Sequence, residues 1–221
     1  MTQPIRIAIN GFGRIGRTIL RQLQTTRSDI PNKVVRINDI APLESCAYLF
    51  AYDSIFGPFD GDVGGENGEL VINGTGIPVT HERDLTAVDL SGIDVVLECA
   101  GHAKTRDIAE RGLRAGARNV LISGPTDAAD VTVVMGANDA ALTSQRIVSN
   151  ASCTTNAEAP LLRKIGGAYP NVTAVAVRDA VARISDGLGE LAAATRWGAA
   201  AVLITGLVVL IGAAAAGERR R

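Results

Sequence analysis

The feature that most constrains the fold is a glycine-rich turn near the N-terminus, placed between an apolar run and a helical pattern. Residues 5–10 form a short apolar run typical of a buried parallel strand, and residues 17–24 have helical periodicity. The motif G-x-G-x-x-G lies between them, which is the context in which it binds the pyrophosphate of a dinucleotide. Gly11 permits the tight turn, Gly13 lets phosphate approach the backbone, and Gly16 lets helix and strand pack closely.

An acidic residue follows the second predicted strand at the distance that a dinucleotide site requires. This strand covers residues 33–38 and ends in Asp39, 23 residues beyond Gly16. An acid at this position accepts hydrogen bonds from the adenosine ribose hydroxyls, and its charge repels a 2′-phosphate. The sequence therefore predicts NAD as the cofactor, in preference to NADP. The alternative is that Asp39 caps a helix that begins near Pro42, and the two roles are compatible.

Strand and helix patterns alternate through most of the chain. The further predicted strands are residues 94–97, 119–123, 131–135 and 146–148, with a helix over 104–115 and a hairpin formed by 69–72 and 77–80. This rhythm predicts an α/β fold, a Rossmann-type and mostly parallel sheet with helices on both faces, and ligands bind at the carboxyl ends of its strands. The segments expected on this shared rim are Asn10-Gly11, Asp39, Glu98 to Gly101, Ser123-Gly124 and Cys153.

A cysteine inside a polar octet, residues 149–156, is the best candidate for chemistry. Cys153 follows an apolar strand and begins a helical pattern, and a helix N-terminus favours the nucleophilic thiolate. Ser152, Thr154 and Thr155 can cap this helix and can also offer hydroxyls to an anionic group. The alternative interpretation is a buried structural cysteine in a capped turn.

Composition narrows the class of protein. The formal charge is −1, so no basic surface points to nucleic acid. Three widely spaced cysteines and the lack of an apolar signal sequence favour reduced thiols in the cytoplasm. His81 and His102 are the only histidines, and neither has a second ligand at metal-binding spacing, so we expect no metal site. A role for His102 as a general base has little support.

The residues from Ile9 to Arg17 (INGFGRIGR), taken together with the cysteine octet, resemble glyceraldehyde-3-phosphate dehydrogenase. The resemblance extends over about residues 4–162, through Asn38-Asp39, the segments 52–54, 94–98 and 131–134. It implies a dehydrogenase that oxidises and phosphorylates glyceraldehyde 3-phosphate. The Cys153 thiolate would attack the aldehyde, hydride would pass to NAD, and phosphate would release the acyl group. The family forms homo-oligomers, although this is doubtful for the present chain.

The resemblance also assigns individual residues. Ser152 and Thr154 match positions that hold substrate or inorganic phosphate. The positions that match cofactor contacts are Asn10, Gly11, Gly13, Arg14, Ile15, Gly16, Asp39, Arg83 and Ser123.

The chain departs from the family at three points. Ala157 replaces a second cysteine that the chemistry does not need, and Ala100 stands where a threonine commonly contacts the cofactor. The third is more serious: the resemblance stops before the family's catalytic half, which supplies a histidine partner for the thiol, a phosphate-binding arginine and an asparagine that orients nicotinamide. We therefore expect a truncated and catalytically incomplete enzyme.

The C-terminal part has a different character. Residues 163–197 are predicted to form a linker and an amphipathic helix, with the helix over 175–191. Residues 198–217 contain no charge and are mostly apolar, and as a helix they would span about 30 Å, the thickness of a bilayer core. They are followed by a basic tail at 218–221. This pattern predicts a transmembrane helix, with a buried core helix as the alternative.

Residues 169–221 resemble the end of an ABC-transporter permease, in the segment 172–175 and in the closing Gly-Glu-Arg-Arg-Arg. The permease topology would place residues 169–197 outside the cell, whereas an NAD-binding domain, predicted over 1–162, belongs in the cytoplasm. A chimera joined near residues 162–168 reconciles the two. The alternative is a membrane-anchored, permease-derived protein that carries the Rossmann part as a passenger.

Overall fold

The computed structural model describes residues 3–27 and 31–169, and contacts group Met1–Lys164 into one compact unit. The strands are β1 Ile5–Asn10, β2 Asn32–Asn38, β3 Tyr52–Asp53, β4 Gly57–Pro58, β5 Val63–Glu66, β6 Glu69–Ile72, β7 Thr75–Thr80, β8 Val95–Glu98, β9 Asn119–Ile122, β10 Val131–Thr132 and β11 Ile147–Ser149. The α-helices are α1 Arg14–Thr25, α2 Leu43–Ala51, α3 Arg106–Ala109, α4 Arg111–Arg114 and α5 Cys153–Ala168.

The main sheet is mostly parallel, as the alternating pattern predicts. Its spatial order is β10-β11-β9-β8-β1-β2-β7-β6-β5. Neighbouring strands from β10 to β7 are parallel, and only β7-β6 and β6-β5 are antiparallel. Strands β2 and β7 lie on one side of β1, and β8 lies on the other side. The carboxyl ends of these four parallel strands therefore meet at one edge of the sheet. The Rossmann-type α/β prediction is confirmed for this part of the chain.

The predicted hairpin is confirmed and gains a strand. Thr75 pairs with Ile72, so β6 and β7 are joined by the two-residue turn Asn73-Gly74. Both turn residues have positive φ, 49° and 76°, which is the geometry of the tight type I′ hairpin turn. A second turn of this kind, Asn67-Gly68, joins β5 to β6. Strand β5 was not among the predicted strands, although Asn-Gly is the signal for such a turn.

Three predicted elements differ clearly from the structure, whereas the bounds of the other predicted strands shift by at most two residues. Helix α1 begins at Arg14 rather than residue 17. Periodicity did not reveal its first residues because Arg14 and Ile15 are both exposed. The predicted helix over 104–115 is divided into α3 and α4, which meet at Glu110. The predicted strand 131–135 ends at Thr132, because the Asn138 side chain bonds the Thr132 carbonyl (3.0 Å) and the Val134 N–H (2.7 Å) in place of a neighbouring strand.

Two apolar clusters lie on opposite faces of the sheet, so helices cover both faces as predicted. One joins α1 and α2 to the sheet and includes Leu20, Ile37 and Phe50. The other joins the sheet to α3, α4 and the loop before β8, and includes Val96 and Val120.

A groove of about 350 Å³ lies over β8, β9 and β11, beyond the edge of the first cluster. It is lined mainly by Val95, Leu121, Leu142 and Val148.

No helix in residues 3–27 and 31–169 is long and apolar enough to cross a membrane. The predicted amphipathic helix over 175–191 and the predicted transmembrane helix over 198–217 lie outside the described residues.

Candidate functional site

A cleft of about 260 Å³ lies where β1, β2, β7 and β8 end. It brings together the glycine-rich turn, the acid after β2 and the loops after β7 and β8. The predicted residues that line it are Asn10, Gly11, Gly13, Asp39 and Arg83. The other lining residues are Asn38, Ile40, Glu82, Cys99, Ala100 and His102.

The three motif glycines have different surroundings. Gly11 has φ +88°, and a Cβ there would lie 2.5 Å from the main-chain nitrogen of Ala100, so both conformation and space require glycine. A Cβ at Gly16 would collide with the main-chain oxygen of Gly11, so helix α1 packs directly on the turn. A Cβ at Gly13, in contrast, would have no atom within 4 Å. The space beside Gly13 opens on the cleft and fits a pyrophosphate approaching the backbone.

Asp39 holds the glycine-rich turn against the turn after β2. Its carboxylate accepts hydrogen bonds from the main-chain N–H of Phe12 (2.5 Å) and of Ala41 (2.8 Å), one on each oxygen. Each carboxylate oxygen has two lone pairs, so acceptor capacity remains for ribose hydroxyls. The alternative that Asp39 caps the helix near Pro42 is wrong: α2 has Pro42 as its N-cap, and Asp39 bonds Ala41, which precedes the helix.

Beneath the cleft, side-chain hydrogen bonds connect the ends of four adjacent strands. Glu98 accepts from the Asn10 amide (2.5 Å) and from the main-chain N–H of Ala100 (3.0 Å). Asn10 accepts from the Asn38 amide (2.8 Å), which in turn bonds the main chain of Glu82. We call Glu98, Asn10, Asn38 and the Glu82 main chain the strand-end relay.

Glu98 is a charged group in a buried place. It is only 5% exposed, and burial raises the pKa of its carboxyl above the usual value, while the hydrogen bonds from Asn10 and Ala100 act in the opposite direction. Glu98 was predicted to lie on the rim, but neither Glu98 nor Asn38 was predicted to have a role. The available signal was a polar residue at the end of each of three strands that pair in one sheet.

The other predicted cofactor residues lie around the cleft rather than on its wall. Arg14 and Ile15 are exposed on the first turn of α1, directly after Gly13. Ser123 follows β9 and lies beside the Cys99 thiol. Burial raises the pKa of this thiol to about 11, so Cys99 stays protonated at neutral pH.

Cys153 is the first residue of α5 and is exposed. The alternative of a buried structural cysteine is therefore wrong, although the turn is capped: Ser152 Oγ accepts from the Thr155 N–H (3.1 Å) and contacts the Thr154 hydroxyl (2.8 Å). Within the described residues, no hydrogen bond reaches the Cys153 thiol. Cys153, Ser152 and Thr154 do not line the 260 Å³ cleft.

The residue just before this cap has an unusual backbone. Ala151 is buried and has φ +56°, a backbone conformation that residues other than glycine rarely adopt. The chain thus turns sharply between β11 and α5.

Among residues 3–27 and 31–169, no group of three or more His, Cys, Asp or Glu side chains could hold a metal ion.

Residues 5–106 match the family model described as "Glyceraldehyde 3-phosphate dehydrogenase, NAD binding domain". Glyceraldehyde-3-phosphate dehydrogenase of Xanthobacter flavus is 45% identical over 169 residues, which are 74% of this chain and 50% of that protein. The enzyme of Haemophilus influenzae is 46% identical over 163 residues, 73% of this chain and 47% of that protein. The cytosolic enzyme of Leishmania mexicana is 44% identical over 167 residues, 75% of this chain and 50% of that protein. The chain thus spans about half the length of the curated relatives it matches.

Proposed function

We propose that this chain, whose N-terminal part is an NAD-binding domain of the glyceraldehyde-3-phosphate dehydrogenase family, holds NAD in the cleft at the ends of β1, β2, β7 and β8. The observation that carries the proposal is the contrast between the glycines. The space that a side chain would take at Gly11 or Gly16 is occupied by the protein's own backbone, whereas Gly13 faces open space in the cleft. The pyrophosphate would lie over Gly13 and the N-terminus of α1, and the adenosine ribose on Asp39.

The further cofactor contacts are also proposals. Asn10 and Arg83 line the cleft, and no hydrogen bond or ion pair within the described residues engages the Arg83 side chain, which leaves its guanidinium available to the dinucleotide. Arg14 and Ile15 would act through their main-chain N–H groups. These groups lie in the first turn of α1, where N–H groups have no partner within the helix. Ser123 would contact the dinucleotide from the end of β9.

We assign the thiol chemistry to Cys153. An exposed thiol at the first position of a 16-residue helix fits a nucleophile that attacks an aldehyde carbon. Ser152 and Thr154 would hold the phosphate of glyceraldehyde 3-phosphate or the attacking inorganic phosphate. When bound, NAD supplies a hydride acceptor for the oxidation.

This polypeptide lacks the partners that would make Cys153 efficient. Its only histidines are His81 and His102, and His102 lines the NAD cleft. Losing a general acid–base partner lowers the rate by ~10²–10⁴-fold, and poor substrate positioning lowers it further. We propose that the 221-residue chain binds NAD but turns over glyceraldehyde 3-phosphate slowly, as a truncated and catalytically incomplete relative of the full-length enzymes.

Calorimetric titration with NAD and with NADP tests the cofactor proposal. We expect NAD to bind more tightly than NADP, because the 2′-phosphate of NADP would approach the Asp39 carboxylate. No binding at millimolar NAD would contradict the proposal. Phosphate-dependent NAD reduction, followed by absorbance, tests the catalytic part, and turnover close to that of a full-length relative would refute incompleteness.

We further propose that residues 198–217 attach the protein to a membrane, and that the tail derives from a permease fused to the dehydrogenase part. The support is the uncharged 20-residue stretch followed by three arginines. Deletion of residues 198–217 should move the protein from the membrane fraction to the supernatant. An unchanged distribution would contradict membrane attachment.

A further inference from the structure

The strand-end relay has one end whose donors and acceptors cannot be exchanged. The main-chain N–H of Glu82 donates to Asn38 Oδ1 (3.0 Å), and the main-chain oxygen of Glu82 accepts from Asn38 Nδ2 (2.9 Å). A main-chain amide has a fixed donor and a fixed acceptor. The Asn38 side chain is therefore held in one orientation, with its oxygen and its nitrogen both matched to Glu82.

This orientation determines the next two groups in the relay. Asn38 Nδ2 also donates to Asn10 Oδ1 (2.8 Å), so Asn10 must present its nitrogen on the other side, where it donates to Glu98 Oε2 (2.5 Å). The second Glu98 oxygen, Oε1, accepts from the main-chain N–H of Ala100 (3.0 Å). Position 98 thus faces two donors, one on each terminal atom.

A carboxylate is the side chain that satisfies both donors. The amide of glutamine has the same shape but only one acceptor atom, and its NH₂ group would face either Asn10 or Ala100 as donor against donor. Glu98 is 5% exposed, so water does not reach the position freely. A buried donor left without an acceptor is costly, which explains why an acid is retained at a position where burial disfavours charge.

Three members of the relay are followed in the chain by a residue of the proposed NAD site, and the fourth, Glu98, bonds the main chain of Ala100. Gly11 follows Asn10 and packs on the main chain of Ala100, while Asp39 follows Asn38 and Arg83 follows Glu82. Replacing the carboxylate at position 98 would therefore alter the hydrogen bonds that position Gly11, Asp39 and Arg83 in the cleft.

We infer that Glu98 is a positioning residue for NAD: it fixes the donor–acceptor order of the strand-end relay and so holds the turn at Gly11, the acid Asp39 and the loop of Arg83 in one arrangement. The inference rests on the proposed function of the cleft. It assigns Glu98 no direct contact with the cofactor.

The test uses a single variant and a compensating pair in the full chain. In Glu98→Gln one donor loses its acceptor, and we expect the Kd for NAD, measured by calorimetry on the folded protein, to rise at least about tenfold. Adding Asn10→Asp supplies a carboxylate that accepts from Asn38 and from the introduced amide, whose oxygen accepts from the Ala100 N–H. The double variant Asn10→Asp/Glu98→Gln should therefore bind NAD at least about threefold more tightly than Glu98→Gln, without reaching the original Kd because Asn10 is itself a proposed cofactor contact. Asn10→Asp alone places two carboxylates face to face and should weaken binding.

The matched control is Glu158→Gln, which removes the same charge from an exposed position on α5 and should leave the Kd unchanged. Unchanged binding in Glu98→Gln, or a double variant that binds no better than Glu98→Gln, would overturn the inference. If Glu98→Gln fails to fold, the double variant decides: NAD binding tighter than that of Asn10→Asp supports the inference, and binding no tighter overturns it. Failure of the unmodified chain to bind NAD would instead contradict the proposed function.

Discussion

At the scale of single residues, three glycines of one motif meet three different requirements. Gly11 has a positive φ and touches the Ala100 backbone, Gly16 leaves room for the Gly11 carbonyl, and Gly13 has open space beside it. The first two requirements belong to the folded protein itself. The third appears only when a ligand occupies the cleft, so stability and binding can be separated by substitution.

Gly13→Ala should leave stability almost unchanged and weaken NAD binding by about tenfold or more, because the new methyl group takes the space of the pyrophosphate. Gly16→Ala should lower the free energy of unfolding by about 1–3 kcal/mol, since the collision with the Gly11 carbonyl outweighs the helical preference of alanine. Thermal unfolding and NAD titration of both variants check this pair. Gly13→Ala with unchanged NAD affinity would contradict the proposed pyrophosphate position.

The three thiols should differ greatly in reactivity. Burial raises the pKa values of Cys46 and Cys99 to about 11, which leaves roughly one thiol in 3,000 ionised at pH 7.5. Cys153 is exposed. We expect brief treatment of the native protein with iodoacetamide to label Cys153 alone, as read by peptide mass spectrometry, and Cys153→Ser to remove the fast phase. Equal labelling of Cys99 would contradict the raised pKa of its thiol.

At the scale of elements, Asp130 fixes the edge strands β10 and β11. Its carboxylate accepts from the main-chain N–H groups of Ile147 (2.9 Å) and Arg146 (3.1 Å), and it pairs with the Arg106 guanidinium (2.6 Å). These donors, first of all the Ile147 N–H and then Arg106, hold the pKa of Asp130 below its ordinary value. One side chain thereby ties the start of β11 to β10 and α3.

Asp130→Asn should lower the free energy of unfolding by about 1–2 kcal/mol at neutral pH, because the amide has one acceptor oxygen for three donors. An acid with a lowered pKa in the folded state contributes stability above its unfolded pKa, near 3.9, and loses it as the pH falls through the folded pKa. The difference between original and variant should therefore be largest above about pH 5 and should shrink in stronger acid. Urea unfolding at several pH values measures it, and a difference independent of pH would contradict the assigned ionisation.

At the scale of the whole molecule, the proposed NAD cleft and Cys153 belong to one described unit, whereas the chain spans about half the length of its curated relatives. Cys153 does not line the cleft. It follows β11, whereas the cleft lies at the ends of β1, β2, β7 and β8, so the thiol and the cleft share a sheet but not a pocket. This arrangement agrees with our proposal that the chain binds NAD but turns over substrate slowly.

The parts that local sequence patterns determine were predicted well. The strand, glycine turn and helix at the N-terminus, the acid after β2 and the Asn-Gly hairpin each depend on a few adjacent residues, and the structure contains all of them. The role of Glu98 was not predicted, because it depends on three strands coming side by side from distant parts of the sequence. The early end of β10 depends likewise on a side-chain contact from Asn138, which no periodicity reveals.

The open groove over β8, β9 and β11 has a practical consequence for studying this protein. Its 350 Å³ space is walled by valine and leucine side chains, which is the environment that fluorescent hydrophobic dyes seek. Such dyes are commonly used to detect melting, on the assumption that a native protein is dark. Here we expect the folded state to bind dye and fluoresce before heating. A melting curve for this protein should therefore be recorded by circular dichroism or calorimetry, which do not depend on a dark native state.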